Sequence, residues 1–182
     1  MVWFTADHHF GHANIIKYVK RPFASVDEMN SEMIRRWNEV VGPDDTVYHL
    51  GDFTLGPDIV RYVAHLNGNI RVVPGGHDKR WLKKYDGSLP TLEVLDRLVI
   101  IKESGYTVTL CHYPLLSWER SHYGMPHLHG HCHGTIGRMR PSGDKQLPPG
   151  QKVGWRIDVG VDCWDFYPVS WFTVLNLIKE DE

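Results

Sequence analysis

Short hydrophobic runs alternate along the chain with stretches in which apolar residues recur at helical spacing. The clearest helical stretch follows Ser25, which forms a capping-box pattern with Glu28. We therefore predict a helix over residues 26–40, ended by Gly42 and Pro43. A shorter helix is expected between Pro57 and Gly68, and a final helix is expected after a cap at Ser170.

Seven further segments have the length and hydrophobicity of β-strands. They are residues 2–6, 46–50, 69–74, 98–101, 106–111, 127–130 and 156–161. Strands that alternate with helices are typical of an α/β or layered αββα domain. The chain shows neither an internal repeat nor a linker, so we expect one domain over residues 1–182.

Composition narrows the functional classes. The chain carries 20 basic and 22 acidic residues, which argues against a protein whose main task is binding nucleic-acid backbone. It has no run of eighteen apolar residues and opens without a pattern resembling a signal peptide, so we expect no membrane span and a cytoplasmic location. The three cysteines are widely spaced, which disfavours a disulfide framework.

Histidine is in excess, with twelve residues, and histidines and aspartates cluster where predicted strands end. Such residues follow five of the strands: Asp7, His9, Asp52, His77, Asp78, His112, His131 and His133. In open α/β sheets, ligands bind beyond the carboxyl ends of strands, where loops from separate strands converge. We therefore expect these side chains to meet at one site.

Residues two apart in an extended chain point to the same side. The alternation predicts that Asp7 and His9 form one pair of ligands and that His131 and His133 form another. It directs the intervening His8 and Cys132 to the opposite side, and Cys111 to the side opposite His112, so we expect all three to be packing groups.

If the six strongest candidates met without a cation, the negative charge of their carboxylates would be poorly compensated. These are Asp7, His9, Asp52, His112, His131 and His133. Carboxylate and imidazole ligands without thiolate favour Mn²⁺, Fe or Zn²⁺ over Ca²⁺ and disfavour a structural zinc site. Asp52, alone at its strand end, is the natural candidate to bridge two ions.

The order of these residues is similar to that of a known family. The chain has Asp-x-His at 7–9, Gly-Asp at 51–52, Gly-x-His-Asp at 75–78, the single His112 and Gly-His-x-His at 130–133. Together these motifs resemble the calcineurin-like metallophosphoesterase superfamily. The segments ADHHFGH, DDTVYHLGDF, DVGVD and PVS resemble its small bacterial and phage-type members.

The resemblance implies a four-layer αββα sandwich, with two mixed β-sheets flanked by helices and a dinuclear metal centre at one edge. Asp7, His9, Asp52 and His133 would hold the first ion, and Asp52, His112 and His131 would hold the second. Mn²⁺ is the expected metal, with Fe, Zn²⁺, Ni²⁺ or Mg²⁺ as alternatives.

Three further residues receive roles around this metal centre. His77 would be the general acid or a phosphate contact, and Asp78 occupies the acidic position beside it in the catalytic motif. His12, three residues after His9, is a candidate phosphate contact.

The chain departs from the family pattern at Gly76, where the family carries an asparagine that contributes an oxygen to the second metal. Glycine has no such oxygen, so a weakened second site is expected. The segment GDFTLG also lacks a downstream acidic residue found in some protein phosphatases of the superfamily, which disfavours a phosphoprotein substrate.

The implied reaction is in-line attack on phosphorus by a metal-bridging hydroxide. A small phosphodiester, such as a nucleotide, is the preferred substrate. The alternatives are a phosphomonoester or pyrophosphate substrate and a noncatalytic metal- or nucleotide-binding module. Two loops are expected to border the site, one over residues 116–126 with Trp118, Arg120, His122 and Tyr123 and one over residues 138–152. No extended nucleic-acid surface is evident, and the oligomeric state stays open.

Overall fold

The structure, a computed structural model, describes residues 1–136 and 154–179. Nine strands are present in these residues: β1 (Val2–Thr5), β2 (Thr46–His49), β3 (Asn69–Val72), β4 (Leu92–Val94), β5 (Leu98–Glu103), β6 (Tyr106–Cys111), β7 (His127–His129), β8 (Arg156–Asp158) and β9 (Val169–Ser170). They form a five-stranded sheet in the order β4-β3-β2-β1-β9 and a four-stranded sheet in the order β5-β6-β7-β8.

Both sheets are mixed. In the first sheet β1 to β4 are parallel and β9 runs antiparallel to β1. In the second sheet β5 and β6 form an antiparallel hairpin, whereas β6, β7 and β8 are parallel. The predicted α/β fold with two mixed sheets is confirmed.

The helices in the described residues are α1 (Ala13–Tyr18), α2 (Val26–Val40), α3 (Val60–Val63), α4 (Lys79–Leu82) and α5 (Trp171–Lys179). Helix α2 has the predicted bounds, because Ser25 Oγ accepts the Glu28 N–H at 3.1 Å and Glu28 Oε2 accepts the Ala24 N–H at 2.7 Å. Helix α3 is a single turn, shorter than predicted, and its N-cap residue, Ile59, makes no side-chain capping hydrogen bond.

Two hydrophobic clusters account for the layered packing. In one, Met29, Met33 and Trp37 of α2 pack with residues of β2 and β3, so this cluster lies between the helices and the first sheet. In the other, Phe4 and Leu128 belong to different sheets, so this cluster lies between the sheets. The first sheet is therefore buried on both faces, as expected for a largely parallel sheet.

The parallel strands bring their carboxyl ends to shared edges of the two sheets. Beyond β1, Ala6 pairs with Gly160, and the Val161 N–H donates to the Ala6 carbonyl at 3.0 Å. This bridge joins the loop after β1 in the first sheet to the loop after β8 in the second. The residues that follow β1, β2, β6 and β7 therefore meet at one place.

The three cysteines are free thiols, with Cys111 and Cys132 buried and Cys163 exposed. Within residues 1–136 and 154–179, no helix has both the length and the apolar composition needed to cross a membrane. The basic loop predicted at 138–152 lies outside the described residues.

The Ser25 cap provides a test of the fold. We expect Ser25→Ala to lower the free energy of unfolding by about 1 kcal/mol, because the Glu28 N–H would lose its side-chain acceptor. Ser31→Ala, at an exposed position inside the same helix, is the matched control. Urea denaturation of both variants measures the difference, and equal stabilities would show that the cap does not stabilise α2.

Candidate metal centre

Two clusters of aspartate and histidine lie at the meeting point of the two sheets. One contains Asp7, His9 and His133, and the other contains Asp52, His112 and His131. Within each cluster, one ligand atom per residue lies within 4.8 Å of the others. The structure thus brings together all six residues predicted from the strand ends, although they are spread over residues 7–133 of the chain.

Asp52 lies between the clusters. Its Oδ2 is 3.6 Å from His9 Nε2 in the first cluster and 3.4 Å from His112 Nε2 in the second. The same oxygen is 3.9 Å from His77 Nε2. The Asp52 carboxylate is therefore within 4 Å of ligand atoms in both clusters.

The backbone at these residues is unusual. Five of the six have positive φ angles in the left-handed region: Asp7 (61°), His9 (52°), Asp52 (55°), His131 (70°) and His133 (47°). Such conformations are unfavourable for residues with a side chain and are concentrated at functional sites. Asp7 and His9 share a cluster as predicted, whereas His131 and His133 belong to different clusters. The extended backbone assumed for both pairs is wrong, since all four residues have left-handed φ angles.

Asp7 is completely buried, and its two oxygens have different environments. Oδ2 accepts the His131 N–H at 2.7 Å, whereas Oδ1 has no hydrogen-bond partner among the described residues. The backbone of Gly130 approaches so closely that a Cβ there would lie 2.6 Å from Oδ2. Burial raises the pKa of Asp7 to about 7, although His112 and His133 act in the opposite direction.

The imidazoles of His112 and His133 are oriented by their Nδ1 atoms. His112 Nδ1 donates to the Leu50 carbonyl at 2.8 Å, and His133 Nδ1 donates to Asp162 Oδ2 at 2.7 Å. With Nδ1 as the donor, each neutral ring keeps a lone pair on Nε2 for a metal ion.

Several buried polar atoms have no hydrogen-bond partner in the part of the chain that the structure describes. They include Asp7 Oδ1, both ring nitrogens of His9 and His112 Nε2. Unpartnered buried polar atoms are costly, and divalent cations at the two clusters would give a partner to Asp7 Oδ1, to His112 Nε2 and to one ring nitrogen of His9. The donor set therefore fits a metal centre.

Without a cation, a protonated His112 supplies positive charge beside the Asp52 carboxylate. Burial alone would lower the pKa of His112, but the Asp52 and Asp7 carboxylates raise it to about 8. Burial alone would raise the pKa of Asp52, but His112 and the His77 N–H, which donates to Asp52 Oδ1 at 2.8 Å, hold it below its usual value. Asp52 and His112 thus form an ion pair when no metal is bound.

Arg21 and Asp162 support the first cluster. Arg21 Nε and Nη2 donate to the two oxygens of Asp162 at 2.8 and 2.7 Å, and the Arg21 side chain is fully buried. Arg21 also donates to the carbonyls of Asp7 at 2.6 Å and His8 at 2.9 Å. Burial would raise the pKa of Asp162, but Arg21 and His133 lower it to about 2. Asp162 is therefore an anion that holds the His133 ring.

Neither role was predicted from the sequence. Asp162 is the last residue of the DVGVD segment, so the motif gave a signal for it. Arg21 belongs to no motif and follows Lys20 in a stretch that resembles an ordinary charged surface.

His8 and His49 form a second pair of supporting residues. His8 is buried and packs beside Phe10 and Trp37, which agrees with its predicted packing role. His49 Nδ1 accepts the Gly51 N–H at 3.2 Å, so its Nε2 carries the hydrogen that donates to His8 Nδ1 at 2.9 Å. Burial lowers the pKa of both rings. The pair is neutral and helps to fix the loop that carries Asp52.

His77 and His12 lie beside the clusters on an accessible side of the centre. The His77 side chain is half exposed, and its ring centroid is 5.3 Å from that of His9. The ring of His12, which is partly buried, lies 5.5 Å from His9 and 6.2 Å from His77. Both rings are placed to contact a ligand bound at the clusters, and their roles as acid and phosphate contact remain predictions.

The structure corrects the catalytic assignment of Asp78. Its carboxylate is buried and accepts four hydrogen bonds, from the N–H groups of Asp52, Phe53 and Gly75 and from Trp81 Nε1, at 2.7–2.9 Å. Both oxygens are therefore occupied by the protein itself. Asp78 positions the Asp52 loop and does not face a substrate.

The loop at 116–126, which was expected to border the site, directs Trp118 toward the protein. Trp118 is buried, donates from Nε1 to the Met125 carbonyl at 2.8 Å and packs on His127. It is therefore not free to stack on a substrate. Arg120 and His122 are exposed, and each contacts the ring of Tyr123.

The Asp162 contact leads to a testable prediction. We expect Asp162→Asn to weaken binding of one divalent ion by about 10- to 100-fold, because His133 would lose the anion that fixes its ring. Titration with Mn²⁺ in a calorimeter measures this affinity. Asp165→Asn, at an exposed site nearby in the chain, is the control. Unchanged affinity in Asp162→Asn would contradict the supporting role.

Comparison with known proteins gives several matches over nearly the full length. No protein-family profile matches the chain. The Gene 66 protein of Mycobacterium phage D29 is 29% identical, with 93% of this chain and 92% of that protein covered. The Gene 66 protein of Mycobacterium phage L5 is 26% identical, with 89% and 86% covered.

Two solved structures are also similar. AQ665 from Aquifex aeolicus, described as a protein of unknown function, matches with a TM-score of 0.65 and 25% identity over 97% of this chain and 98% of its own. A protein described as a novel archaeal phosphodiesterase has a TM-score of 0.39 and 16% identity over 87% and 82%, a similarity too low to support an argument.

The uncharacterized protein MJ1445 of Methanocaldococcus jannaschii is 33% identical over 183 residues, which cover 98% of this chain and 92% of MJ1445. With this identity across almost the whole of both chains, the protein belongs to the same family as MJ1445.

Proposed function

We propose that the protein is a metal-dependent phosphoesterase of the calcineurin-like type, which hydrolyses a small phosphodiester such as a nucleotide with two divalent ions. The observation that carries this proposal is the pair of adjacent aspartate and histidine clusters with Asp52 between them. The order of the same residues along the chain, which resembles that superfamily, supports it.

The donor atoms favour borderline transition metals. Asp7, His9 and His133 would hold one ion, His112 and His131 would hold the other, and Asp52 would contact both. Carboxylate and imidazole donors without a thiolate suit Mn²⁺, Fe or Zn²⁺, and Mn²⁺ is our first choice. Nothing in the donor set resembles a closed structural zinc site.

When bound, the two ions would activate a water for attack on phosphorus and offset the negative charge of the phosphate. The protein would contribute His77, whose half-exposed ring is placed to donate a proton to the leaving oxygen. His12 would donate a hydrogen bond to a phosphate oxygen. Asp78 and His49 would keep the Asp52 loop fixed while the substrate exchanges.

Two substitutions separate metal binding from chemistry. We expect Asp52→Asn to reduce the occupancy of both ions, because the shared carboxylate loses its charge. We expect His77→Ala to keep its metal content and to lose roughly 10²- to 10⁴-fold in rate, the usual effect of removing a positioned acid. Elemental analysis and turnover of a bis-aryl phosphodiester in Mn²⁺ measure the two effects.

The outcomes discriminate among the possible functions. Full metal occupancy in Asp52→Asn would contradict its bridging position. Faster turnover of the corresponding aryl monoester would make the protein a phosphomonoesterase at the same site. Turnover equal to that of a chelated blank, despite bound metal, would indicate a noncatalytic binding module.

Metal binding should release protons. In the metal-free protein at pH 7, Asp7 is about half protonated and His112 is mostly protonated, since their pKa values are about 7 and about 8. A metal ligand must be deprotonated, so binding at pH 7 should release roughly one to two protons. Because both pKa values are raised, the apparent affinity should increase as the pH rises to about 8 and level off above it, where these two ligands no longer release protons on binding.

Calorimetric titration with Mn²⁺ at fixed pH, in two buffers with different heats of ionisation, measures the number of protons released. A heat that does not depend on the buffer at pH 7 would contradict the proposed ligands.

A further inference from the structure

The space left by the glycine at position 76 is next to the hydroxyl group of Tyr113. A Cβ built on Gly76 would lie 3.0 Å from the Tyr113 hydroxyl oxygen. No other atom of the described residues, apart from the adjoining chain, lies within 4 Å of that Cβ. The hydroxyl therefore lies where the side chain of the family asparagine would begin.

This position adjoins the carboxylate of Asp52. Gly75 precedes Gly76, and its backbone is so close to Asp52 that a Cβ built on Gly75 would lie 2.3 Å from Asp52 Oδ1. On the other side of Gly76, the His77 N–H donates to the same oxygen at 2.8 Å. A group beside Gly76 is consequently near the residue that both clusters share.

The ring of Tyr113 also packs against the second cluster. Its centroid is 4.8 Å from the His112 ring and 4.7 Å from the His131 ring, with both pairs edge to face. These two histidines, together with Asp52, are the members of that cluster. The Tyr113 ring thus contacts His112 and His131. Its hydroxyl lies beside Gly76, in the segment that contacts Asp52, the third member of the cluster.

Among the residues that the structure describes, the Tyr113 hydroxyl has no hydrogen-bond partner, and the residue is 41% exposed. A tyrosine hydroxyl usually needs a protein partner only when it is buried. The ring of Tyr113 is packed, and its hydroxyl oxygen is open to solvent, where it can reach a ligand.

We propose that the Tyr113 hydroxyl gives the second cluster the oxygen donor that Gly76 does not provide. The inference rests on the proposed metal-dependent function, and it identifies Tyr113 as a ligand of the second ion. On binding, the phenol O–H would release its proton to solvent, and the phenolate oxygen would coordinate the cation. Phenolate is a hard oxygen donor, of the kind that Mn²⁺ and ferric iron accept.

A double-mutant cycle tests this assignment. The variants are Tyr113→Phe, Gly76→Asn and the combination of both, and Tyr123→Phe, at another exposed tyrosine, is the control. In the wild-type background, Tyr113→Phe should weaken the second Mn²⁺ by roughly tenfold or more and leave the first unchanged. In the Gly76→Asn background, Tyr113→Phe should change the affinity for the second Mn²⁺ little, because the asparagine amide oxygen replaces the phenol oxygen.

A second measurement does not depend on affinity or activity. The wild-type protein and Tyr123→Phe, loaded with ferric iron, should show the visible charge-transfer absorption of an iron-bound phenolate, and Tyr113→Phe should lack it. Near-ultraviolet circular dichroism checks that the variants remain folded.

The results distinguish two kinds of failure. If the wild-type protein binds two ions and Tyr113→Phe binds both equally well, with no phenolate band in either, the Tyr113 assignment is wrong and the proposed function stands. If the wild-type protein binds no divalent ion, both fail. If it binds only one, there is no second site for Tyr113 to complete, and the assignment is again wrong.

Discussion

Two carboxylates, Asp7 and Asp52, are buried in one centre, where water cannot fully solvate their charge. Much of the local structure compensates for this burial. Backbone N–H groups of His131 and His77 bind one oxygen of each carboxylate, and the raised pKa of His112 supplies a positive charge beside Asp52. Among residues 1–136 and 154–179, these contacts leave Asp7 Oδ1 without a hydrogen-bond partner. The centre is thus incompletely compensated by the protein alone, which is the electrostatic reason to infer a cation.

Residues outside the clusters hold this arrangement in place, and they do so from two sides. Asp78 accepts the N–H groups of the loop after β2, and Asp162 with Arg21 fixes the His133 ring and the carbonyls after β1. Each of these carboxylates is itself fully bonded. The left-handed backbone of five of the six candidate ligands is unfavourable on its own, so this bonding helps to stabilise backbone that would otherwise relax.

The sequence predicted the parts of the molecule that follow from strand periodicity and parallel pairing. The ends of parallel strands must share an edge, so Asp7, Asp52 and His131 were expected to meet. Buried hydrogen-bond partners are not encoded in periodicity, which is why Arg21 was missed and Asp78 was assigned to catalysis. The burial of Trp118 could not be predicted for the same reason, because an aromatic residue in a predicted loop gives no sign of whether it packs inward or faces a ligand.

The two clusters differ in exposure, and this difference bears on how a substrate would approach. Asp7 and His9 of the first cluster are almost inaccessible, whereas His131 of the second is exposed and lies beside the exposed Tyr113. A closed site suits an ion that stays bound, and an open site suits an ion that exchanges water for substrate. The second ion would therefore be the one that a phosphate group meets first, and its binding would depend most on residues at the rim.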